Sequence, residues 1–330
     1  MKNIIILFGG DSFENNISIV TAKNIAENLG IKYKYYLIDI SNKGWQIYLG
    51  KLDYFINEVY RQQCVDVSFI FDKGKPAIYY DRKIVNIDFC INAIHGKNGE
   101  DGNIQGFLEI CNIPYVGTSI LGSINCFNKR FFKIIMDFYQ IPQLKWKYCK
   151  LEDKDIYINF DYPIIVKPET GGSSLGISIC HEKSQLKFAL IEAAKYDENI
   201  LIEEFKSVRE IDCSLLCTNS IQVLSLSENI YNEEFFSYKA KYESNDTDII
   251  IPAKLSNRCK ETINDIVLKI VDIFHLKGLV RVDFFVDKKE NVYINEVNTQ
   301  PGIGADESDN IWKYHGSLSF LLEKIIDNND

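Results

Sequence analysis

The chain has 330 residues, 46% of them hydrophobic, which is enough for a sizeable core of about two domains and argues against disorder. Lysine and arginine number 37 against 46 acids, so the net charge of −9 speaks against a broad nucleic-acid or anionic-membrane surface, though not against a small anion held by a few lysines. The nine cysteines form no CxxC pair and the four histidines no metal-ligand spacing, so a disulfide framework and a zinc ribbon are excluded and a reducing compartment fits.

Residues 4–8 are an apolar run too short for a signal peptide and end at Gly9-Gly10, so they read as a buried first strand. No stretch approaches the length of a membrane span, and a cytoplasmic protein is expected. Ile17, Val20, Ala22, Ile25, Ala26 and Leu29 follow a helical period over 17–29, with Gly30 as the stop. A strand follows at 33–38. Strand, glycine loop, helix and strand in this order predict a parallel α/β unit. Residues 89–94 read as a strand ending at His95-Gly96, 103–112 as a helix and 113–116 as a short strand. A second region opens near Ser119 with a helix over 119–139. Strands follow at 162–166, 177–180 and 200–205, with a helix at 184–195. A third region starts near Lys206, with a helix at 258–274, strands at 279–286 and 291–297, and a closing helix at 317–327. Cys213 and Cys217 read as strand.

The most informative segment is Val280-Arg281-Val282-Asp283-Phe284-Phe285-Val286, a four-residue turn, then Asn291-Val292-Tyr293-Ile294-Asn295-Glu296-Val297-Asn298. Alternation puts Arg281 and Asp283 on one face. If Val286 pairs with Asn291, Arg281 lies opposite Glu296, Asp283 lies diagonal to it, and Asn298 points the same way. Two carboxylates, an amide oxygen and a guanidinium then share one patch, a hard-oxygen set suited to Mg²⁺ beside phosphates. A solvated polar face with a cross-strand salt bridge fits the same residues.

The loop 170–176 joins two strands, which excludes the P-loop, because that loop opens a helix. Its glycines, with Ser173 and Ser174, let backbone N–H groups approach a polyphosphate, and Lys167 adds charge. A plain glycine-rich hairpin is the alternative. Ile202-Glu203-Glu204-Phe205-Lys206, followed by Glu210, can offer backbone groups to a purine and an acid to ribose hydroxyls. An ordinary strand end reads the same. His95 falls at the carboxyl end of a buried strand, where ligands of parallel sheets sit. There the alternative is a polar turn capped by Asp101.

Taken together and in order, these motifs resemble the D-alanine–D-alanine ligase family of the ATP-grasp superfamily over nearly the whole chain. The residues that carry the resemblance are Gly9-Gly10 with Ser12, Glu14 and Ser18; His95-Gly96 with Gly99-Glu100-Asp101-Gly102; Pro114-Tyr115-Val116-Gly117; Lys167-Pro168 with Gly172-Ser173-Ser174-Leu175-Gly176; Tyr238 with Lys241-Tyr242; Arg281-Val282-Asp283; and Asn295-Glu296-Val297-Asn298-Thr299 with Pro301-Gly302. The resemblance implies an α/β ATP-grasp fold: a Rossmann-like parallel-sheet domain over 1–118, and two α+β subdomains over 119–205 and 206–330 that grip ATP. It implies an ATP-dependent carboxylate–amine ligase that works through an acylphosphate. Lys129 and Lys167 would contact the phosphates, with Ser173, Ser174 and Lys241 as further cofactor-binding candidates. Glu203, Phe205 and Lys206 would line the adenine, and Glu210 would take the ribose. Asp283, Glu296 and Asn298 would hold two Mg²⁺ (Mn²⁺ as substitute). Glu14 would anchor the first amino group and join Ser173 and Tyr242 in a triad fastening loops over the site. Arg281 and the Gly302 N–H would stabilise the oxyanion, and His95 would lie near the first substrate. Partners would be small amino acids or amines and a second copy of the chain, with no nucleic acid or membrane.

One run departs from the family. After Pro301-Gly302 the family continues Met-Thr-Ser-His-Ser-Leu, whereas this chain has Ile303-Gly304-Ala305-Asp306-Glu307-Ser308. Asp306 takes the histidine position and Glu307 that of the serine that helps bind the second substrate's carboxylate. Like charges a few Å apart repel by several kcal/mol at a dielectric of about 20. The expectation is an attacking amine that is cationic or lacks that carboxylate, or an intramolecular ring closure; the alternative is that the acids face solvent and Ser308 substitutes. A different class is a catalytically silent nucleotide-binding protein, which would have no need of Asp283, Glu296 and Asn298.

Overall fold

A computed structural model describes residues 1–42, 44–55, 57–153, 156–232, 248–304, 311–312, 314 and 316–328. Ile4, Ile5, Ile6, Leu7 and Phe8 have no exposed surface and form the centre of β1 (Lys2–Gly9). Apolar residues on both faces suit a strand covered on both sides. The crossover helix α1 (Asn15–Asn28) leads to β2 (Tyr33–Ser41), which pairs with β1 in parallel. β3 (Gly44–Tyr48) and β4 (Cys64–Asp66) extend that edge, and β8 (Phe89–Asn92) and β9 (Tyr115–Val116) the other. The order is β4-β3-β2-β1-β8-β9. The helix α2 (Asn103–Ile110) lies between β8 and β9. A separate antiparallel sheet, β5 (Ser68–Asp72), β6 (Lys75–Tyr80) and β7 (Lys83–Asn86), docks through edge contacts among Trp45, Phe69 and Phe107.

The single helix expected over 119–139 is two: α3 (Ile120–Phe127) and α4 (Lys129–Phe138). Asn128 between them is extended, and its side chain accepts from the Phe131 N–H at 2.9 Å. An asparagine amide that caps the second helix competes with continuation of the first, so the break is locally encoded. It also starts α4 at Lys129. The close approach of α3 to the end of α6 (Asn257–Phe274) depends on Gly122, where a Cβ would come within 2.4 Å of the Phe274 carbonyl.

The next sheet is antiparallel, ordered β10-β13-β11-β12, from β10 (Trp146–Lys150), β11 (Ile164–Pro168), β12 (Ser178–Cys180) and β13 (Asn199–Glu204). α5 (Leu186–Ala194) covers it through Leu186, Ala189, Leu190 and Ala193. The loop 170–176 connects antiparallel β11 and β12, as its flanking runs predict.

The last sheet is ordered β16-β15-β14-β17-β18, from β14 (Arg209–Cys217), β15 (Ile221–Ile230), β16 (Asp248–Ile250), β17 (Gly278–Val286) and β18 (Val292–Asn298). α6 packs on it through Ile263, Ile266, Val267 and Ile270. The closing helix α7 (Leu318–Asp327) returns to the first sheet, burying Leu321 and Ile325 in one cluster with Ile4, Ile6 and Ile25.

The β17–β18 register corrects the one expected. The turn takes five residues, not four, and Val286 pairs with Val292. A register shift beside Asp283 and Phe284 then leaves Asn295 as an extra residue on β18. Beyond that bulge Asp283 faces Glu296, and Arg281 faces Asn298. The physical reason is parity: without the bulge, Glu296 would sit opposite Val282 and turn its charge into the core.

All nine cysteines are free thiols. Among the described residues no helix is long and apolar enough to cross a membrane.

Candidate active site

The three larger sheets converge on one cleft, lined by Glu14, His95, Lys129, Ser173, Glu210, Arg281, Asp283, Glu296, Asn298 and Gly302 of the expected residues. Glu14 immediately precedes α1, and its Oε1 accepts a hydrogen bond from the Ser173 hydroxyl at 2.5 Å. His95 is buried at the end of the β8 segment. Its Nε2 lies 3.1 Å from the Thr21 hydroxyl and its Nδ1 3.5 Å from Glu100 Oε1. Glu100 also accepts from the Gly96 N–H at 3.1 Å. Two carboxylates, Glu14 and Glu100, thus face one small space. Burial pushes the Glu14 carboxyl above the usual carboxylate range and repulsion from Glu100 adds to it, while the Ser173 bond pulls the other way. A pair of carboxylates in a half-buried hollow favours a cation such as an ammonium group.

On the opposite wall Arg281 forks onto Asp283, Nε to Oδ1 at 2.7 Å and a terminal nitrogen to Oδ2 at 2.9 Å. The Asn298 amide donates to Asp283 Oδ2 at 3.0 Å. Asp212, on β14 and paired in register with Asp283, lies 3.8 Å from Arg281. Burial pushes Asp283 up to about 7 against the pull of Arg281, with Asp212 adding repulsion. Lys129 donates to the Gly171 carbonyl at 2.5 Å and stands 3.9 Å from Glu296, with burial lowering its pKa.

The set fits a divalent cation. Asp283 and Glu296 are carboxylates with the Asn298 amide beside them, burial raises Asp283 first and repulsion from Asp212 and Glu296 adds to it, and the buried Asn295 Oδ1 accepts no hydrogen bond from the protein. Among the described residues no group of three His, Cys, Asp or Glu side chains is placed to hold a metal ion, and the Asn298 amide stands beside the two carboxylates as a further oxygen donor.

Gly302 is held rigidly. Its carbonyl accepts from the Trp312 indole at 3.1 Å, the following Ile303 N–H donates to the Thr21 hydroxyl at 3.3 Å, and the Asn24 amide donates to both the Ile303 and Gly304 carbonyls.

Lys167, Ser174, Glu203, Phe205 and Lys206 do not line the cleft, whereas Glu210 does. Lys167 and Glu203 are buried behind it, with Lys167 Nζ 2.7 Å from Glu203 Oε1. Lys206 sits over the Tyr293 ring at 4.8 Å and 3.4 Å from Glu204. Phe205 is half-buried, and Ser174 has a left-handed backbone at φ 57°. Glu210 accepts from the Tyr231 hydroxyl at 2.7 Å. Lys241, Tyr242, Asp306, Glu307 and Ser308 lie outside the described residues.

Four contributors have no role in the sequence reading. Glu100 sits in a quoted motif, Asp212 two residues after Glu210, and Gln300 (donating to the Asn92 carbonyl at 2.5 Å) between motif residues. The fourth, Lys133, is four residues after Lys129 and therefore on the same helix face.

The description "D-ala D-ala ligase N-terminus" matches residues 3–118, and "D-ala D-ala ligase C-terminus" matches 135–326. This chain belongs to the D-alanine–D-alanine ligase family. A D-alanine–D-alanine ligase of Caldicellulosiruptor bescii is 40% identical over 315 residues, 91% of this chain and 86% of that protein. Among solved structures, the VanG D-Ala:D-Ser ligase of Enterococcus faecalis superposes with a TM-score of 0.88 at 28% identity, covering 100% of this chain and 99% of that one. The Bacillus anthracis D-alanine–D-alanine ligase, crystallised with ATP, gives 0.71 at 26% identity, covering 100% and 97%. The fold is therefore the ATP-grasp α/β fold, and the chain is an ATP-dependent enzyme that forms carbon–nitrogen bonds and uses Mg²⁺. These family relatives do not favour a cationic amine, a ring closure or a silent nucleotide-binding protein.

Proposed function

We propose that the enzyme joins D-alanine to a second D-amino acid, as a ligase of the cell-wall type acting in the cytoplasm. The observation that carries this reading is the shared cleft, with a paired-carboxylate hollow (Glu14, Glu100) on one wall and a guanidinium with two carboxylates (Arg281, Asp283, Glu296) on the other. The first suits an α-ammonium, the second a triphosphate with its metal. The domains we assign are 1–118, 119–205 and 206–330, each with its own main sheet, and a homodimer is the expected assembly.

A free carboxylate is a poor electrophile because its leaving group would be oxide. Glu14 holds the first amino acid so that its carboxylate oxygen can attack the γ-phosphorus of ATP, with ADP leaving. Lys129 and Lys167 offset the charge of the phosphates. Bound to Asp283, Glu296 and Asn298, Mg²⁺ supplies Lewis-acid neutralisation of that charge. The second amine then attacks the acylphosphate carbonyl and phosphate leaves. Arg281 and the Gly302 N–H stabilise the tetrahedral oxyanion, one such donor being worth about 3 kcal/mol. Glu203, Phe205, Lys206 and Glu210 are assigned to the nucleoside, and His95 to the first-substrate side. The Glu14–Ser173 bond fastens the glycine-rich loop over the site and helps exclude water.

The test is phosphate release by purified protein with Mg-ATP and D-alanine, alone and paired with other D-amino acids, amines and diamines. The expected result is a dipeptide by mass spectrometry, with ¹⁸O from the labelled acid appearing in released phosphate. ATP turnover without transfer of that label overturns the acylphosphate route. Turnover only with diamines overturns the second substrate.

A further inference from the structure

Lys133 carries its charge inside the core: its side chain is 2% exposed. It projects from α4 on the stripe that also buries Phe132 and Met136. Its Nζ stands 3.1 Å from Glu203 Oε1, and Lys167 Nζ reaches the same oxygen at 2.7 Å. One buried carboxylate therefore faces two buried ammonium groups, and the trio holds a surplus positive charge.

Stability does not account for this arrangement. A buried ion pair is commonly no more stable than an apolar replacement of the same shape, and a third charge adds desolvation cost. One lysine suffices to balance Glu203. Of the two, Lys167 stands on β11 at the edge of the glycine-rich loop, near enough to the cleft for its charge to be felt at Lys129. Lys133 does not line the cleft and has no other acid at ion-pair distance among the described residues.

We propose that Lys133 is a positioning residue: it remains the counter-ion of Glu203, so that Lys167 can leave that carboxylate for a phosphate group entering the cleft. The proposal rests on the reading of the cleft as the ATP site and adds the device that frees one of its lysines. Without Lys133, a departing Lys167 would leave Glu203 buried and unpaired, and the phosphate would have to compete with that carboxylate.

The experiment compares Mg-ATP with adenosine, which has no phosphate, by titration calorimetry. In Lys133→Met, a chain of similar length without charge, Mg-ATP binding weakens about tenfold or more while adenosine binding stays within about twofold. Thermal unfolding is followed alongside. Lys133→Arg keeps the counter-ion and binds Mg-ATP within about threefold of the parent. Adding Glu203→Gln to Lys133→Met removes the competing carboxylate and restores most of the ATP-to-adenosine affinity ratio. Parent-like ATP binding by Lys133→Met overturns the proposal alone. So does an equal loss of both ligands, or a Lys133→Arg variant as weak as Lys133→Met. A parent protein that binds no Mg-ATP overturns the nucleotide reading as well.

Discussion

The Ser173 hydroxyl donates to the Glu14 carboxylate at 2.5 Å across 159 positions of sequence. This bond ties the glycine-rich loop between β11 and β12 to the start of α1, closing one side of the cleft. A hydrogen bond to a charged group is worth about 1.5–3 kcal/mol. Ser173→Ala should therefore lower kcat/KM for the first amino acid by about tenfold to a hundredfold. Steady-state kinetics at saturating Mg-ATP measure this, and an unchanged kcat/KM would show that the bond does no work in the reaction.

The same pair fixes a pH dependence. Burial, then repulsion from Glu100, raise the Glu14 pKa in the folded protein. An ammonium group binds the ionised carboxylate, so kcat/KM for the first amino acid falls as pH drops through that raised value. The limb lies above the ordinary carboxylate range. The Ser173 bond holds Glu14 down, so its loss in Ser173→Ala moves the limb to higher pH. Profiles of parent and variant over the acid side decide this. A limb that does not move separates Glu14 from substrate binding.

Arg281 grips Asp283 through two nitrogens. Lysine keeps the charge but loses the fork. If Arg281 meets the oxyanion, Arg281→Lys lowers kcat about a hundredfold and leaves KM for both amino acids little changed. A rise in KM at constant kcat would instead make Arg281 a ground-state binding group.

The contrast between β17–β18 and the segment 119–139 shows how far the sequence could be read. Alternation placed Arg281 and Asp283 on one face, because strand parity is a local property. It could not place Glu296 opposite Asp283, because register depends on turn length and on the bulge at Asn295. The break at Asn128 was legible in principle, since asparagine caps helices, but apolar periodicity on both sides hid it. Lys133 was hidden for a different reason. A lysine on a helix reads as solvated unless its partner is known, and Glu203 comes from a strand seventy residues on. The short strands β3 to β7 carry mixed patterns, and the sheet of β5 to β7 packs through Phe69 on Trp45 of β3 and Phe107 of α2.

Glu296 faces Asp283 across the bulged hairpin and lies 3.9 Å from Lys129. Glu296→Gln removes one of the two carboxylates that would hold the metal and leaves the amide of Asn298 as support. Fewer charged oxygens mean weaker divalent binding. Half-maximal ATP turnover should require about tenfold more Mg²⁺, and high Mg²⁺ should recover part of kcat. Chelation should abolish turnover in the parent, with Mg²⁺ or Mn²⁺ restoring it. An unaltered Mg²⁺ titration in Glu296→Gln would remove that residue from the metal site.

The buried trio of Lys133, Glu203 and Lys167 makes a separate claim on stability. Burial alone would push Glu203 up, but Lys133 and Lys167 hold it down to about 2, against an ordinary value of 4.5. A carboxyl whose folded value is depressed adds stability that is complete above its unfolded value and is lost as pH falls toward the folded one. Glu203→Gln leaves two ammonium groups without their carboxylate, a change that costs about 3–5 kcal/mol in buried pairs. Urea unfolding at pH 7 should show that loss. Between about pH 4.5 and 2 the gap between parent and variant should narrow, because the parent's Glu203 is becoming neutral while glutamine does not titrate. A gap that stays constant down to pH 3 would mean that Glu203 is not the charge the two lysines share.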